Sequence, residues 1–149
     1  MVKIEYGNIF NYDLQKNAIC HCISFDCKMG AGIAKTISER HPFMRNELLQ
    51  CIHENHLNWP NCILYYDENN NENVFNLITK EKYWHKPTYD TVKKSLFYLR
   101  YCAAKRNMTH LIMPTIASGL DRLKWDKVLE IIHHVFDDTD IEVTIVLRR

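Results

Sequence analysis

The stretch from Ser24 to Ala34 holds the first residue types that could do chemistry in this sequence. It follows an apolar run and precedes a helical pattern, and Gly30 and Gly32 would let the backbone approach a ligand closely. The start of a helix adds unpaired N–H groups and about half a positive charge, which can hold a pyrophosphate without a basic patch. A tight strand-to-helix turn that needs only small residues would look the same, so this stretch alone does not predict a ligand.

A second stretch, Pro114 to Arg122, also lies between a predicted strand and a predicted helix, and it contains Asp121. Lys80 stands at the end of an apolar strand pattern. Because open α/β sheets bind ligands beyond the carboxyl ends of their strands, we expect Lys80 and Asp121 at one edge. A desolvated lysine, or one beside a base, can act as a nucleophile. Simpler interpretations stay open: Asp121 suits the field at a helix N-terminus, and Lys80 suits a solvated strand end.

Hydrophobic patterns predict the elements that must position these residues. Strands are predicted at 2–6, 18–23, 62–66, 74–79, 110–114 and 141–147. Helices are predicted to open at Gly30 and run through Arg40, to begin again near Pro42, to follow the N-cap Thr88 as far as Arg106, and to span 125–135. This order predicts one α/β domain over residues 1–149, with a mostly parallel six-stranded sheet covered on both faces.

The amino-acid composition and charge limit the classes of function that this chain could have. Of the 149 residues, 46% are hydrophobic and 25% are charged, so the chain can bury a core. A formal net charge of +1 gives no overall field that would attract a polyanion. No apolar run could span a bilayer, and the first residues lack the apolar centre of a signal peptide. We therefore predict no membrane association and an intracellular location, cytoplasmic or nuclear.

The cysteines are predicted to be free thiols, because no secretory signal accompanies them. A metal site built from Cys20, Cys22, Cys27 and His21 is the alternative, but the sequence has no C-x-x-C pair there. No metal and no other cofactor is predicted.

Several motifs together resemble the terminal ADP-ribose glycohydrolases of the macro-domain superfamily. The motifs are the segments at 21–34, 77–80, 85–89 and 119–123, in the same order and at similar spacing. The resemblance implies a three-layer α/β/α macro domain with a mixed six-stranded sheet and a cleft for ADP-ribose at its carboxyl edge. It also implies that Lys80 attacks the anomeric carbon of the distal ribose, and that Asp121 assists the attack and resolves the lysine-linked adduct.

The same resemblance implies a set of ligand-binding residues in three loops. They are Asn8, Ile9, Ser24, Met29, Gly30, Ala31, Gly32, Ile33, Thr115, Ala117, Ser118, Gly119 and Leu120. Two of them depart from the common macro-domain pattern. Asn8 stands where an aspartate commonly accepts from the adenine, and Ala117 stands where glycine is usual. If position 117 requires a positive φ, alanine would be strained there.

These observations predict an enzyme that removes ADP-ribose from the acidic side chains of mono-ADP-ribosylated proteins, acting as a monomer. The alternatives are hydrolysis of ADP-ribosylated nucleic acid, of ADP-ribose 1″-phosphate or of O-acetyl-ADP-ribose, and a reader that binds ADP-ribose without chemistry. Lys80 and Asp121 together favour an enzyme over a reader. An ordinary dinucleotide-binding domain is disfavoured, because Lys35 stands where the third glycine of its fingerprint would be.

Overall fold

The computed structural model describes residues 1–148. The strands are β1 (Val2–Tyr6), β2 (Ala18–Ser24), β3 (Asn61–Asp67), β4 (Glu72–Lys80), β5 (His110–Met113) and β6 (Glu142–Leu147). The helices are α1 (Gly32–Arg40), α2 (Met44–Glu54), α3 (Tyr89–Lys105) and α4 (Trp125–Phe136), and a short 3₁₀ turn spans Ile9–Asn11.

The strands form one six-stranded sheet in the order β1-β6-β5-β2-β4-β3. All neighbours are parallel except β3 and β4, which form an antiparallel hairpin. The predicted mixed sheet is therefore confirmed. Since β2, β4 and β5 are adjacent and parallel, their carboxyl ends meet at one edge of the sheet. Ser24 and Lys80 lie at this edge, and the loop after Met113 begins there.

Two hydrophobic clusters, one on each face of the sheet, produce the three layers. One cluster packs α3 and α4 against residues such as Cys20 and Leu77, and the other packs α1 and α2 against Ile19 and Ile78. Neighbouring residues of a strand point to opposite faces, so β2 and β4 supply both clusters. This arrangement confirms the predicted α/β/α fold.

Helix boundaries agree with the sequence patterns to within a few residues. Thr88 caps α3 as predicted, and it forms a capping box with Thr91. Pro42 was expected in the first turn of α2, but it precedes that helix, because the Met44 N–H donates to the His41 carbonyl at 3.0 Å and forms a separate turn. Within the described residues, none of the helices has the length and apolar character needed to cross a membrane.

Candidate active site

Lys80 and Asp121 form an ion pair at the carboxyl edge of the sheet. The Lys80 Nζ atom lies 2.7 Å from Asp121 Oδ1, and each side chain is 14% exposed. Lys80 ends β4, whereas Asp121 lies in the loop between β5 and α4, so 41 positions of sequence separate them. The structure thus brings together the two residues that the sequence analysis assigned to chemistry.

A break in strand register sets the position of Lys80. Ile23 pairs with Ile78, but the next residue of β2, Ser24, pairs with Lys80. Thr79 is consequently an extra residue without a partner on β2. Such β-bulges bend a strand and redirect the side chains that follow, and they are common beside active sites.

The stretch 24–34, which we call the first ligand loop, is held in a strained shape by one side chain from outside it and by hydrogen bonds within it. Cys27 and Met29 adopt positive φ values of 54° and 46°, a region that non-glycine residues rarely enter. The Arg45 guanidinium donates to the Cys27 carbonyl at 2.8 Å. Asp26 accepts from the Ser24 hydroxyl and, at 3.2 Å, from the Lys28 N–H. These contacts offset a strain of about 1–3 kcal/mol for each such residue.

The Asp26 carboxylate accepts several of the hydrogen bonds that stabilise this loop. Partial burial alone would raise its pKa, but the hydrogen bonds from the Ser24 hydroxyl and from the backbone N–H groups of Tyr83 and Lys28 outweigh burial and lower the pKa. Asp26 therefore stays ionised at neutral pH and accepts from all three donors at once.

The N-terminus of α1 points its unpaired N–H groups to this edge. Ala31 is the N-cap and its side chain makes no capping hydrogen bond. Gly32 has a φ of +61°, and a Cβ atom there would lie 3.4 Å from Leu120 Cδ1 of the second loop. Gly30 has an ordinary φ, so of this glycine pair it is Gly32 that requires glycine. Ile33 is half-buried beside them.

The stretch 114–122, which we call the second ligand loop, contains an alanine in the left-handed backbone conformation. Ala117 has a φ of 60° and is buried, and its carbonyl accepts from the Leu123 N–H at 2.9 Å. Position 117 thus has the positive φ at which alanine is strained, and the strain costs about 1–2 kcal/mol. The Ser118 hydroxyl donates to the Thr115 carbonyl at 3.0 Å and closes the turn. Gly119 and Leu120 are exposed at its tip.

Asn8 and Ile9 lie at the other end of the same edge. Asn8 is exposed, and its Oδ1 atom accepts from the Phe10 N–H at 3.0 Å. Ile9 is buried in the cluster beneath α1 and α2. Four strand spacings separate β1 from β4, or roughly 19 Å at about 4.8 Å each. The structure therefore does not bring Asn8 to Lys80, but sets the two far apart along the same edge of the sheet.

Cys22 is a neighbour of the ion pair that the sequence analysis did not assign to the site. Burial, followed by the negative charge of Asp121, raises the pKa of this thiol to about 12, so it is neutral. Its signal in the sequence was its place two residues before Ser24, on the strand face shared with the core of α3 and α4.

The alternative of a metal site at Cys20, Cys22, Cys27 and His21 is not supported by the geometry of the described residues. Within residues 1–148, no group of three or more His, Cys, Asp or Glu side chains is arranged to hold a metal ion. Successive strand residues alternate between faces, so His21 points away from its neighbours Cys20 and Cys22. All the cysteines are free thiols.

Solved structures of macrodomains superpose on this six-stranded α/β/α fold over nearly the whole chain. The macrodomain of Thermus aquaticus DarG superposes with a TM-score of 0.86 at 17% identity, over 98% of this chain and 97% of that one. Thermosipho africanus DarTG, solved in complex with ADP-ribose, superposes with a TM-score of 0.82 at 16% identity, over 97% of this chain and 41% of that one. At these identities the likeness defines the fold, which is that of a macro domain.

Sequence comparison identifies the branch of the superfamily. No protein-family model matches the chain. The ADP-ribose glycohydrolase OARD1 of Bos taurus is 38% identical over 131 residues, which cover 88% of this chain and 82% of that protein. The human OARD1 is 37% identical over 129 residues, covering 87% and 80%. The chain therefore belongs to the OARD1-like ADP-ribose glycohydrolase family of macro domains, and the resemblance seen in its motifs is confirmed.

Proposed function

We propose that this protein hydrolyses the bond between ADP-ribose and a modified acidic side chain, with Lys80 as nucleophile and Asp121 as its acid–base partner. The observation that carries the proposal is the 2.7 Å contact between Lys80 Nζ and Asp121 Oδ1 at the carboxyl edge of the sheet. Membership of a family whose named relatives are ADP-ribose glycohydrolases supports it. A reader that only binds ADP-ribose would not require this pair.

The positions of the loops suggest where each part of ADP-ribose would bind. Asn8 and Ile9 would contact the adenine at one end of the edge. The pyrophosphate would lie over the N-terminus of α1, where Gly32 and the uncapped N–H groups offer donors and a favourable dipole. The distal ribose would then reach Lys80 at the other end. Local N–H groups suffice for this anion, in keeping with a net charge of only +1.

Attack requires a neutral amine, since the ammonium form has no lone pair. In the free protein the Lys80 ammonium faces the Asp121 carboxylate at 2.7 Å. When the bound ligand excludes water, the proton passes to Asp121 across the 2.7 Å contact and the amine attacks the anomeric carbon. The new C–N bond forms as the ester C–O bond breaks, and the electron pair of that bond leaves with the carboxylate. Asp121 gives its proton to the departing carboxylate, and both leave to solvent, so that Asp121 is ionised again.

Hydrolysis of the adduct restores the pair. Asp121, now ionised, takes a proton from a water molecule as the water attacks the anomeric carbon. The C–N bond breaks and its electron pair returns to the Lys80 nitrogen. Asp121 then returns its proton to the amine, which regenerates the ion pair and releases ADP-ribose. Acid–base assistance of this kind contributes about 10²–10⁴-fold.

All residues of this proposed site come from one chain, so we propose that the monomer is sufficient for activity. ADP-ribosylated nucleic acid, small esters of ADP-ribose and a reader role are the competing outcomes of the test. The intracellular location stays a prediction.

The test is release of free ADP-ribose from a protein that is mono-ADP-ribosylated on glutamate. Wild type should release it, Lys80→Ala should lose at least about 100-fold in rate, and the matched control Lys93→Ala, an exposed lysine of α3, should be unchanged. Binding of ADP-ribose to each variant shows whether the cleft is intact. Full turnover by Lys80→Ala would contradict the proposed role of Lys80, and ADP-ribose binding without release by wild type would favour a reader.

A further inference from the structure

The segment 83–86 begins shortly after the end of β4, the strand that carries Lys80, and it contacts both ligand loops. The Tyr83 N–H donates to Asp26 Oδ2 of the first loop at 3.1 Å. The Lys86 ammonium donates to the Leu120 carbonyl of the second loop at 2.7 Å. The segment therefore crosses from one loop to the other beside the Lys80–Asp121 pair, and we refer to it as the crossing segment.

Two large aromatic rings of the crossing segment are left in solvent. Tyr83 is 53% exposed and Trp84 is 62% exposed. The rings pack edge to face against each other, with centroids 5.1 Å apart and an angle of 89° between their planes. Neither residue belongs to either hydrophobic cluster. Adjacent exposed aromatic rings on a segment that contacts both ligand loops are typical of contact surfaces, since folding alone does not need them.

The strand order indicates what would meet these rings. With adenine near Asn8 after β1 and the anomeric carbon near Lys80 after β4, ADP-ribose occupies the edge between them. The group attached to the anomeric carbon must leave the cleft at the β4 end, and the crossing segment follows β4 directly. The attached polypeptide, rather than ADP-ribose, is therefore the part of the substrate that reaches Trp84.

The charges around the rings suit an acidic polypeptide. The Lys28 ammonium lies 5.7 Å from the centre of the Tyr83 ring. In the sequence, Lys82 immediately precedes the crossing segment and Lys86 ends it. Glu81 is the one acidic residue between Lys80 and Lys86. Positive flanks and amphipathic rings would attract a segment rich in Asp and Glu, and acidic side chains are also the sites that this reaction cleaves.

We infer that Tyr83 and Trp84 form a contact platform for the acidic polypeptide that carries the ADP-ribose, and that this platform makes modified protein segments better substrates than small esters of ADP-ribose. The inference rests on the proposed function. Trp84 determines specificity here and takes no part in the chemical step.

The test compares two substrates: an acidic peptide modified by ADP-ribose on glutamate, and the acetyl ester of ADP-ribose. Trp84→Ala should lower kcat/KM on the peptide by about 5- to 30-fold, the effect of truncating one aromatic contact of about 1–2 kcal/mol. On the acetyl ester the change should stay below about 2-fold, and Trp84→Phe should recover most of the loss on the peptide. Tyr101→Ala, which removes a ring that is 64% exposed on α3, should change neither.

Two results would overturn the platform. An equal loss on both substrates would place Trp84 at the ADP-ribose or at the chemistry, and an unchanged kcat/KM on the peptide would show that the rings are not contacted. Failure of wild type on both substrates would instead reject the proposed function, and the platform with it. Because Trp84 is exposed, thermal unfolding of the variant should match wild type.

Discussion

Replacing His21 with glutamine should remove a large part of the acid sensitivity of folding. His21 lies in β2 and is fully buried, with its Nε2 atom 2.6 Å from Asn76 Oδ1. The Asn76 amide nitrogen donates to the Ile63 and Val74 carbonyls, so Oδ1 is the acceptor and Nε2 carries the proton. His21 Nδ1 has no hydrogen-bond partner among the described residues. The ring is therefore neutral, and a second proton would be buried without a partner.

The size of the effect follows from the pKa of this group. Burial, assisted by the nearby His41, lowers the pKa of His21 from 6.5 to about 4. A lowered pKa in the folded state means that the unfolded chain binds the proton first as the pH falls. The stabilisation is fully present above pH 6.5 and is lost between pH 6.5 and about pH 4. At about 1.4 kcal/mol for each pH unit, the total loss is roughly 3 kcal/mol.

The assay is urea unfolding of wild type and His21→Gln at about pH 7.5 and about pH 4.5. Wild type should lose roughly 2–3 kcal/mol more free energy of unfolding between these conditions than the variant does. Carboxylates whose pKa is lowered, such as that of Asp67, titrate in both proteins and cancel in the comparison. Equal losses in the two proteins would refute the argument that His21 is buried in its neutral form.

Two further substitutions test the ligand loops. Gly32→Ala should destabilise the fold by about 1–2 kcal/mol and weaken ADP-ribose binding, because Gly32 has a φ of +61° and a Cβ atom would lie 3.4 Å from Leu120. Gly119→Ala is the matched control for stability, since a Cβ atom there meets nothing within 4 Å. Equal urea midpoints for the two variants would contradict the prediction. Asn8→Asp should tighten ADP-ribose binding about 5-fold, since a charge-assisted hydrogen bond to the adenine gains about 1 kcal/mol over a neutral one; an unchanged Kd by calorimetry would show that the adenine does not contact this side chain.

Local patterns were sufficient for the order of the elements and for the strand end that carries Lys80. The pairing between strands was not accessible in the same way. The bulge at Thr79 depends on the register that β2 adopts against β4, and that register is set by packing on both faces rather than by residues near Lys80.

Loop conformation also escaped the sequence patterns. Glycine marks backbone freedom, yet the left-handed positions of the first loop include Cys27 and Met29, whereas Gly30 is ordinary. Strain at non-glycine residues is maintained by distant partners such as Arg45, which local spacing cannot reveal. Trp84 was missed for a related reason: only the hydrogen bonds of its segment to both loops place it at the cleft.

In the proposed mechanism, Lys80 forms a covalent bond to the distal ribose and Asp121 resolves it. The most direct measurement is the intact mass of Asp121→Ala after incubation with a glutamate-modified substrate, followed by peptide mapping. Without the carboxylate, Lys80 can lose its proton only to solvent, so attack should be slower but the adduct should not be resolved. We expect a protein fraction heavier by one ADP-ribosyl group, located on Lys80, which is absent from the double variant Lys80→Ala/Asp121→Ala. Continued release of ADP-ribose with no adduct on Lys80 would contradict the lysine mechanism and assign direct attack to water.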